Sequence, residues 1–480
     1  MVEEFLSMLL FNSLTIVLLI IALIANGKRT NYFTILIMAI LWGLVPWPFY
    51  HLTTGINSIF TIVFLRFLIA TIGGFIFIAI SLVLNVYFKR TAKWNWFQYS
   101  AQDLKIQVTN YLTISSFKMG TLKKQRNIPY LVYYLLLGFF YFITILFYFF
   151  SYQNLGVIFT AIINMVATTI LIAFWNLLRK QEFADSLKIT YLLMLLVAGI
   201  LTIQSLIVTE VTGSLFFGLT SLLTTILTWV IFIILSGLDD FTQAEKKRVL
   251  SFNDKASNFQ LGRSMVKLTL FFFFSVLTLL LFAVVLNIFP VAGSIINNQI
   301  TLFFTELQIL PALLSNPWAW FLGIETSIFP YLLYFLSQNN WSSRSLRWDQ
   351  WVVILAAFEP LTSIFVGIFI GNEAYKYNLL LLILATIIIA LTMLLRYYHE
   401  KNCLKSIIFL RIKQGHIKGL INRLKYNPKV VEIKTITGQY DVVLRALFQS
   451  NHLLKSFIEK LKELDDILEV INFVEFELKK

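Results

Sequence analysis

A single cysteine, Cys403, stands in 480 residues. With one thiol the chain can close no disulfide on itself and can build no multi-cysteine metal site. Histidine is almost as scarce: His51, His399, His416 and His452 are scattered with no ligand spacing. The sequence has no Walker loop and no Gly-x-Gly-x-x-Gly turn, so ATP-driven pumping by this chain is not expected. Neither a cofactor nor an enzymatic activity is expected. Charge is also thin. Only 13% of residues are charged, about half of the roughly 25% usual in soluble domains. That excludes a soluble enzyme over most of the length.

What is present instead is apolar surface. Hydrophobic residues make up 58% of the chain, Phe alone occurs 46 times, and mean hydropathy is +0.78. Apolar runs recur almost to residue 396, each long enough to cross a hydrocarbon core of about 30 Å as a helix. They place about eleven spans at 5–26, 33–50, 59–87, 130–151, 156–179, 189–209, 213–236, 265–289, 317–337, 350–371 and 377–396. The first follows Glu3 and Glu4 rather than a basic stretch, and no small-residue cleavage site is convincing. It is therefore expected to be a retained span rather than a signal peptide.

Basic residues fix the expected orientation. With the N-terminus outside, every Lys and Arg except Arg66 and Lys376 falls on or close to the cytoplasmic side, as the positive-inside bias requires. The net charge of +14 then reads as a topology signal touching anionic membrane lipids, not as a nucleic-acid surface. A multi-pass protein of the cell membrane with a cytoplasmic tail is expected. In the loop 88–129, Lys and Arg alternate with Trp94, Trp96 and Phe97. This pattern suits a helix lying on the membrane face, with a linker as the alternative.

Beyond Arg396 the composition changes. Ser406–Lys413 reads as a strand, and Ile417, Leu420, Ile421 and Leu424 have helical spacing. The Asn427-Pro428 pair stops that helix, because a residue before proline avoids the helical region. Two β-branched strands meet across Gly438 and Gln439, and Asn451 caps a second helix before a last strand at 470–478. The order β-α-β-β-α-β is that of a ferredoxin-like module. A core this small is marginal alone, which favours pairing with a second copy.

The membrane part carries an internal likeness. Gly138 through Tyr148 to Gln153-Asn154 parallels Gly323 through Tyr334 to Gln338-Asn339. Each is followed by a span with a polar residue: Asn164 in one, Glu359-Pro360 in the other. Without the first span, ten remain, five and five, so the second half would sit inverted. Inverted halves are a recurrent transporter plan, with the substrate near midplane. Arg66, Glu325 and Glu359 lie at membrane depth, where a charge costs at least ~2.5–3.5 kcal/mol and so marks a candidate transport or coupling residue. Arg66 could instead reach the interface or bond helix carbonyls. Asn164 could be an interhelical hydrogen bond, and Glu325 and Glu359 could be structural partners. Tyr440 and Asp441 could simply finish a hairpin.

Two resemblances add to this. Leu41-Trp42-Gly43, Pro46 and Leu65-Arg66-Phe67-Leu68-Ile69-Ala70 resemble the opening of an EamA repeat of the drug/metabolite transporter superfamily. Phe358-Glu359-Pro360-Leu361 through Gly371-Asn372-Glu373 is similar to that family's closing helix. The resemblance implies secondary transport, often export, of small metabolites by ten helices in two inverted halves. It departs in its extra first span, in the insertions at 88–129 and 237–264, and in Met165 where a proline is usual. Residues 406–478, with Gly415-His416, Val430-Val431-Glu432 and Thr437-Gly438-Gln439-Tyr440-Asp441-Val442, are similar to the ligand-binding domain of Lrp/AsnC regulators. That resemblance implies dimerisation through the sheets and an amino-acid effector near the turn, contacted by Gly438, Tyr440 and Asp441. Helix-turn-helix residues do not precede it, so DNA binding is not implied. The expected layout is an extra span and linker at 1–32, five-span repeats at 33–212 and 213–398, and the regulatory domain at 404–480. The expected function is an outward carrier for an amino acid or related small-molecule substrate, with a sensing, homodimeric tail. The alternatives are a membrane-tethered sensor without transport, or a carrier whose tail only dimerises.

Overall fold

In a computed structural model, the residues described are 2–27, 31–88, 116–119, 126–178, 215–237, 256–290, 295–339, 358–371, 404–424, 430–448 and 451–475, with scattered positions in 189–200, 352–356 and 384–395. The chain divides into two compact units. One comprises residues 1–169, 198–341 and 355–383; the other comprises 170–197, 342–354 and 384–480.

The first unit is helical. Its elements are α1 (Val2–Gly27), α2 (Asn31–Gly43), α3 (Pro46–Thr53), α4 (Ile59–Phe88), α5 (Tyr130–Leu155), α6 (Val157–Leu178, which runs on past residue 169), α7 (Leu215–Ser236) and α8 (Ala256–Ile288). After these come α9 (Ile295–Leu307), α10 (Leu310–Leu314), α11 (Pro317–Trp320), a π-helical segment (Phe321–Ile328), α12 (Phe329–Asn339) and α13 (Phe358–Phe369). Among the described residues, seven segments are long and apolar enough to cross a membrane: Glu4–Ile24, Phe33–Thr53, Ile59–Ile80, Tyr130–Leu155, Leu215–Ser236, Gly262–Ile288 and Pro317–Gln338. Each coincides with one of the expected spans. Helix α6 covers the expected 156–179, and α13 is a shorter apolar helix within 350–371. The expected spans at 189–209 and 377–396 lie largely outside the described residues. The apolar surface is two-sided, as a membrane requires: Phe75, Leu131, Phe216 and Leu281 stay exposed, while Tyr134, Tyr141 and Phe271 are fully buried.

Packing within this unit has a regular pattern. Helix α5 packs on α7 and α8, the π-segment and α12 pack on α2, α4 and α8, and α4 packs on α5 and α8. Exchanging α2 with α7, α4 with α8, and α5 with the π-segment and α12 maps these contacts onto one another. The two glycines of the sequence likeness obey the same exchange. Gly138 lies against Phe274 and Ser275 of α8, and Gly323 against Ile69 of α4.

Two connections between spans carry structure of their own. The stretch 290–316, which joins two of the expected spans, carries α9 and α10. Gln299 of α9 accepts from the Ile59 amide at 2.7 Å and Glu306 from the Asn57 amide at 2.8 Å. These bonds satisfy donors at the start of α4 that have no intrahelical partner. In the loop 88–129, the described residues form an antiparallel pair, β1 (Ser116–Met119) with β2 (Arg126–Pro129), while Trp94, Trp96 and Phe97, where the membrane-face helix is expected, lie outside the described residues.

The second unit holds the tail. Its order is β3 (Leu404–Ile412), α14 (Ile417–Leu424), β4 (Val430–Thr435), β5 (Val442–Phe448), α15 (Asn451–Lys462) and β6 (Ile467–Glu475). The strands form one antiparallel sheet in the order β4-β5-β3-β6. Alternation along the strands sends Ile408, Leu410, Val442 and Leu444 to a core closed by Leu420, Leu454, Phe457 and Leu461 of the two helices. The period of two leaves Ile407, Phe409, Val443 and Phe473 on the opposite face. Phe473 is 57% exposed.

Candidate functional site

In the helical unit the polar groups converge on α4, α5, the π-segment and α13. Arg66 is 1% exposed. Its Nε donates to Ser327 Oγ at 2.7 Å and its Nη2 to the Thr326 carbonyl at 3.2 Å, while Nη1 has no partner among the described residues. The Phe149 ring lies 5.6 Å from its Cζ. The π-segment makes this possible. Its wider turn lets the Ser327 hydroxyl donate to the Leu322 carbonyl five residues back at 2.8 Å while accepting from Arg66. Such π turns gather at functional sites more often than chance.

Glu359 stands in the first turn of α13 and accepts from the Tyr148 hydroxyl of α5 at 3.3 Å. Its place is set by the close approach of α13 to α2. A Cβ added at Gly43 would lie 2.5 Å from the Glu359 carbonyl and would also strike Thr362. The Ser363 hydroxyl donates to the Gly43 carbonyl at 3.3 Å across the same contact. Gly43→Ala is therefore expected to force the helices apart and cost about 1–3 kcal/mol. A fall in the melting temperature of the purified protein would show it.

Glu325 is buried on the π-segment and accepts from the Thr15 hydroxyl of α1. It has a different neighbour from Glu359, so the two carboxylates expected at similar depth do not share a partner. Asn164 is buried in α6, and its Oδ1 has no partner among the described residues. Thus Arg66 and Glu359 come together, joined by the adjacent Tyr148 and Phe149, whereas Glu325 and Asn164 stand apart. Trp42 and Trp318 are packed inside the unit. Trp42 contacts Trp229 and Tyr331, and Trp318 stacks on His51 at 4.0 Å. Thr15, Tyr148 and Ser327 were not singled out as site residues from sequence, because a hydroxyl in an apolar run gives no signal of its partner.

In the tail, Gly438 has φ of 141°, a conformation essentially confined to glycine. It turns the chain so that Asp441 ties three segments together. The Asp441 amide donates to the Leu410 carbonyl at 2.9 Å, its carbonyl accepts from Ile436 at 3.0 Å, and its Oδ2 accepts from the Ile412 amide at 2.7 Å. A bulge between Arg411 and Ile412 interrupts the β3–β6 ladder beside that last bond. Tyr440 lies tilted against Phe409 on the face opposite the helices, 5.7 Å between ring centroids, and its hydroxyl lies 3.5 Å from Glu469 Oε1. Local desolvation, then the Glu469 carboxylate, push the phenol above its ordinary range, so it stays a donor. Gly438, Tyr440 and Asp441 thus occupy one edge of the uncovered face.

Residues 405–474 match the family described as the Lrp/AsnC ligand binding domain. The tail is an Lrp/AsnC ligand binding domain. Its match covers β3 to β6 almost entirely and stops short of the long apolar helices. For an Lrp/AsnC ligand binding domain, an amino-acid effector and pairing of two copies are consistent expectations. No curated protein matches the chain.

Proposed function

We propose that the protein is a secondary carrier for amino acids or related small metabolites, most readily an exporter, regulated by its Lrp/AsnC ligand binding domain. The observation that carries the reading is the Arg66–Tyr148–Glu359 group inside an apolar helical bundle. Charges are placed there at a cost and normally serve a substrate or ion path. The exchangeable packing of the two halves, and the matching sites of Gly138 and Gly323, support an EamA-like plan of inverted repeats plus the extra α1. The tail's β-α-β-β-α-β order with sheet order β4-β5-β3-β6 supports a ferredoxin-like reading. Its open apolar face, with Phe409 and Phe473, supports a homodimer paired through the sheets.

In this reading the N-terminus is outside and the tail cytoplasmic, where it senses the amino-acid pool. Glu359 takes up and releases substrate or a proton as access alternates. The effector acts on transport only by binding the tail better in one transport state than in another. No reaction is catalysed. A membrane-tethered sensor that moves nothing is the competing reading.

Solute counterflow separates the two. Full-length protein in proteoliposomes preloaded with each of the twenty amino acids is expected to accumulate the labelled form of at least one above protein-free vesicles. Absence of exchange for all twenty would leave the sensor reading in place.

A further inference from the structure

Buried Arg66 and half-buried Glu359, groups of opposite charge, stand in the same helical bundle and do not pair. Arg66 spends two of its nitrogens on Ser327 and Thr326 and leaves Nη1 open, and Glu359 accepts a bond from Tyr148. They are held by neighbouring residues of one helix: Tyr148 touches the carboxylate, and Phe149 lies under the guanidinium. The guanidinium is within electrostatic reach of the carboxylate. Among the described residues, no ion pair joins them. Opposite charges attract strongly where water is scarce, and leaving either one unpaired is the costly arrangement. Holding them apart therefore makes sense when something else completes both.

We propose that Arg66 and Glu359 together take the head group of a zwitterion, an α-amino acid with an uncharged side chain, its carboxylate on Arg66 Nη1 and its ammonium on Glu359 beside Tyr148. This rests on the carrier reading and deepens it by assigning the two poles. A guanidinium edge suits a carboxylate because its N–H donors lie in one plane. An ammonium gains from a carboxylate and from an aromatic face together. The walls nearby are the rings of Phe49, Phe149 and Tyr152, with centroids 4.7 to 6.0 Å apart. They supply no further charge, so a charged side chain finds no counter-ion there.

The test uses full-length protein in proteoliposomes and whichever amino acid gives the fastest counterflow. Its decarboxylated amine and its deaminated acid are added as competitors. Both analogues should compete at least about tenfold more weakly than the amino acid itself, since a site built for a polar group rejects the analogue lacking it. Arg66→Gln should bring the amine to within about threefold of the amino acid and leave the acid weak. Glu359→Gln should do the reverse. Arg66→Lys and Glu359→Asp keep the charges and should keep the wild-type order, which guards against a folding defect. If either analogue competes with wild type as well as the amino acid does, or the variants leave the order unchanged, this inference is overturned while transport stands. If no amino acid exchanges at all, the carrier reading fails and this inference with it.

Discussion

Glu359→Gln is expected to reduce exchange by at least about tenfold and to make what remains insensitive to pH. The glutamine is isosteric and still offers an oxygen to the Tyr148 hydroxyl, so the bond at 3.3 Å survives in neutral form. What disappears is the charge and the proton site. A hydrogen bond to a charged group contributes roughly 1.5–3 kcal/mol, which corresponds to about 10- to 150-fold in binding or rate. The fold should be retained, because Gly43 and Ser363, not the carboxylate, fix the approach of α13 to α2. Initial rates of counterflow at several pH values measure this directly. A variant with the wild-type rate and pH profile would remove Glu359 from the transport path.

The second large effect belongs to the tail. Asp441→Ala takes away the acceptor of the Ile412 amide, and an N–H deprived of its partner costs about 1–3 kcal/mol. The same change removes a carboxylate from the edge where the effector is expected. Wild-type protein with a hundredfold excess of effector over its dissociation constant gains about 2.7 kcal/mol of stability in the domain that binds. Asp441→Ala should start from a lower melting temperature and lose most of that gain. Asp441→Asn separates the two roles: its amide oxygen can still accept from Ile412, so basal stability is kept while the ligand-induced gain shrinks. An undiminished gain in both variants would make Asp441 purely a strand fastener.

The two parts of the chain were legible in sequence for different reasons. Span positions follow from length and hydrophobicity alone, and the seven membrane-length segments fall where the apolar runs predict them. The tail follows from alternation in Ser406–Lys413, helical spacing in Ile417–Leu424 and a Gly turn at 438, all local signals. The π-segment was invisible because its register is set by packing on α4, where Gly323 meets Ile69, and not by its own residues. Helix α9 was not anticipated, because nothing local in its sequence shows that Gln299 and Glu306 meet the start of α4. Of the candidate residues, Arg66 and Glu359 were conspicuous as charges, but their shared link through Tyr148 and Phe149 is a tertiary fact. Asp441 was visible as a motif, and its grip on Ile412 was not.

The separated Arg66 and Glu359 also have a consequence for membrane voltage. A fixed cation and a fixed anion sum to zero, and the proposed zwitterion would add nothing, so a helix movement carrying all three would displace no net charge. A potential of 100 mV does work of about 2.3 kcal/mol on each elementary charge displaced, and on this loaded group it does none. Protonation of Glu359 is the event that leaves one charge uncancelled. The electrical driving force would enter the cycle at that step, through a single oxygen atom held by a tyrosine.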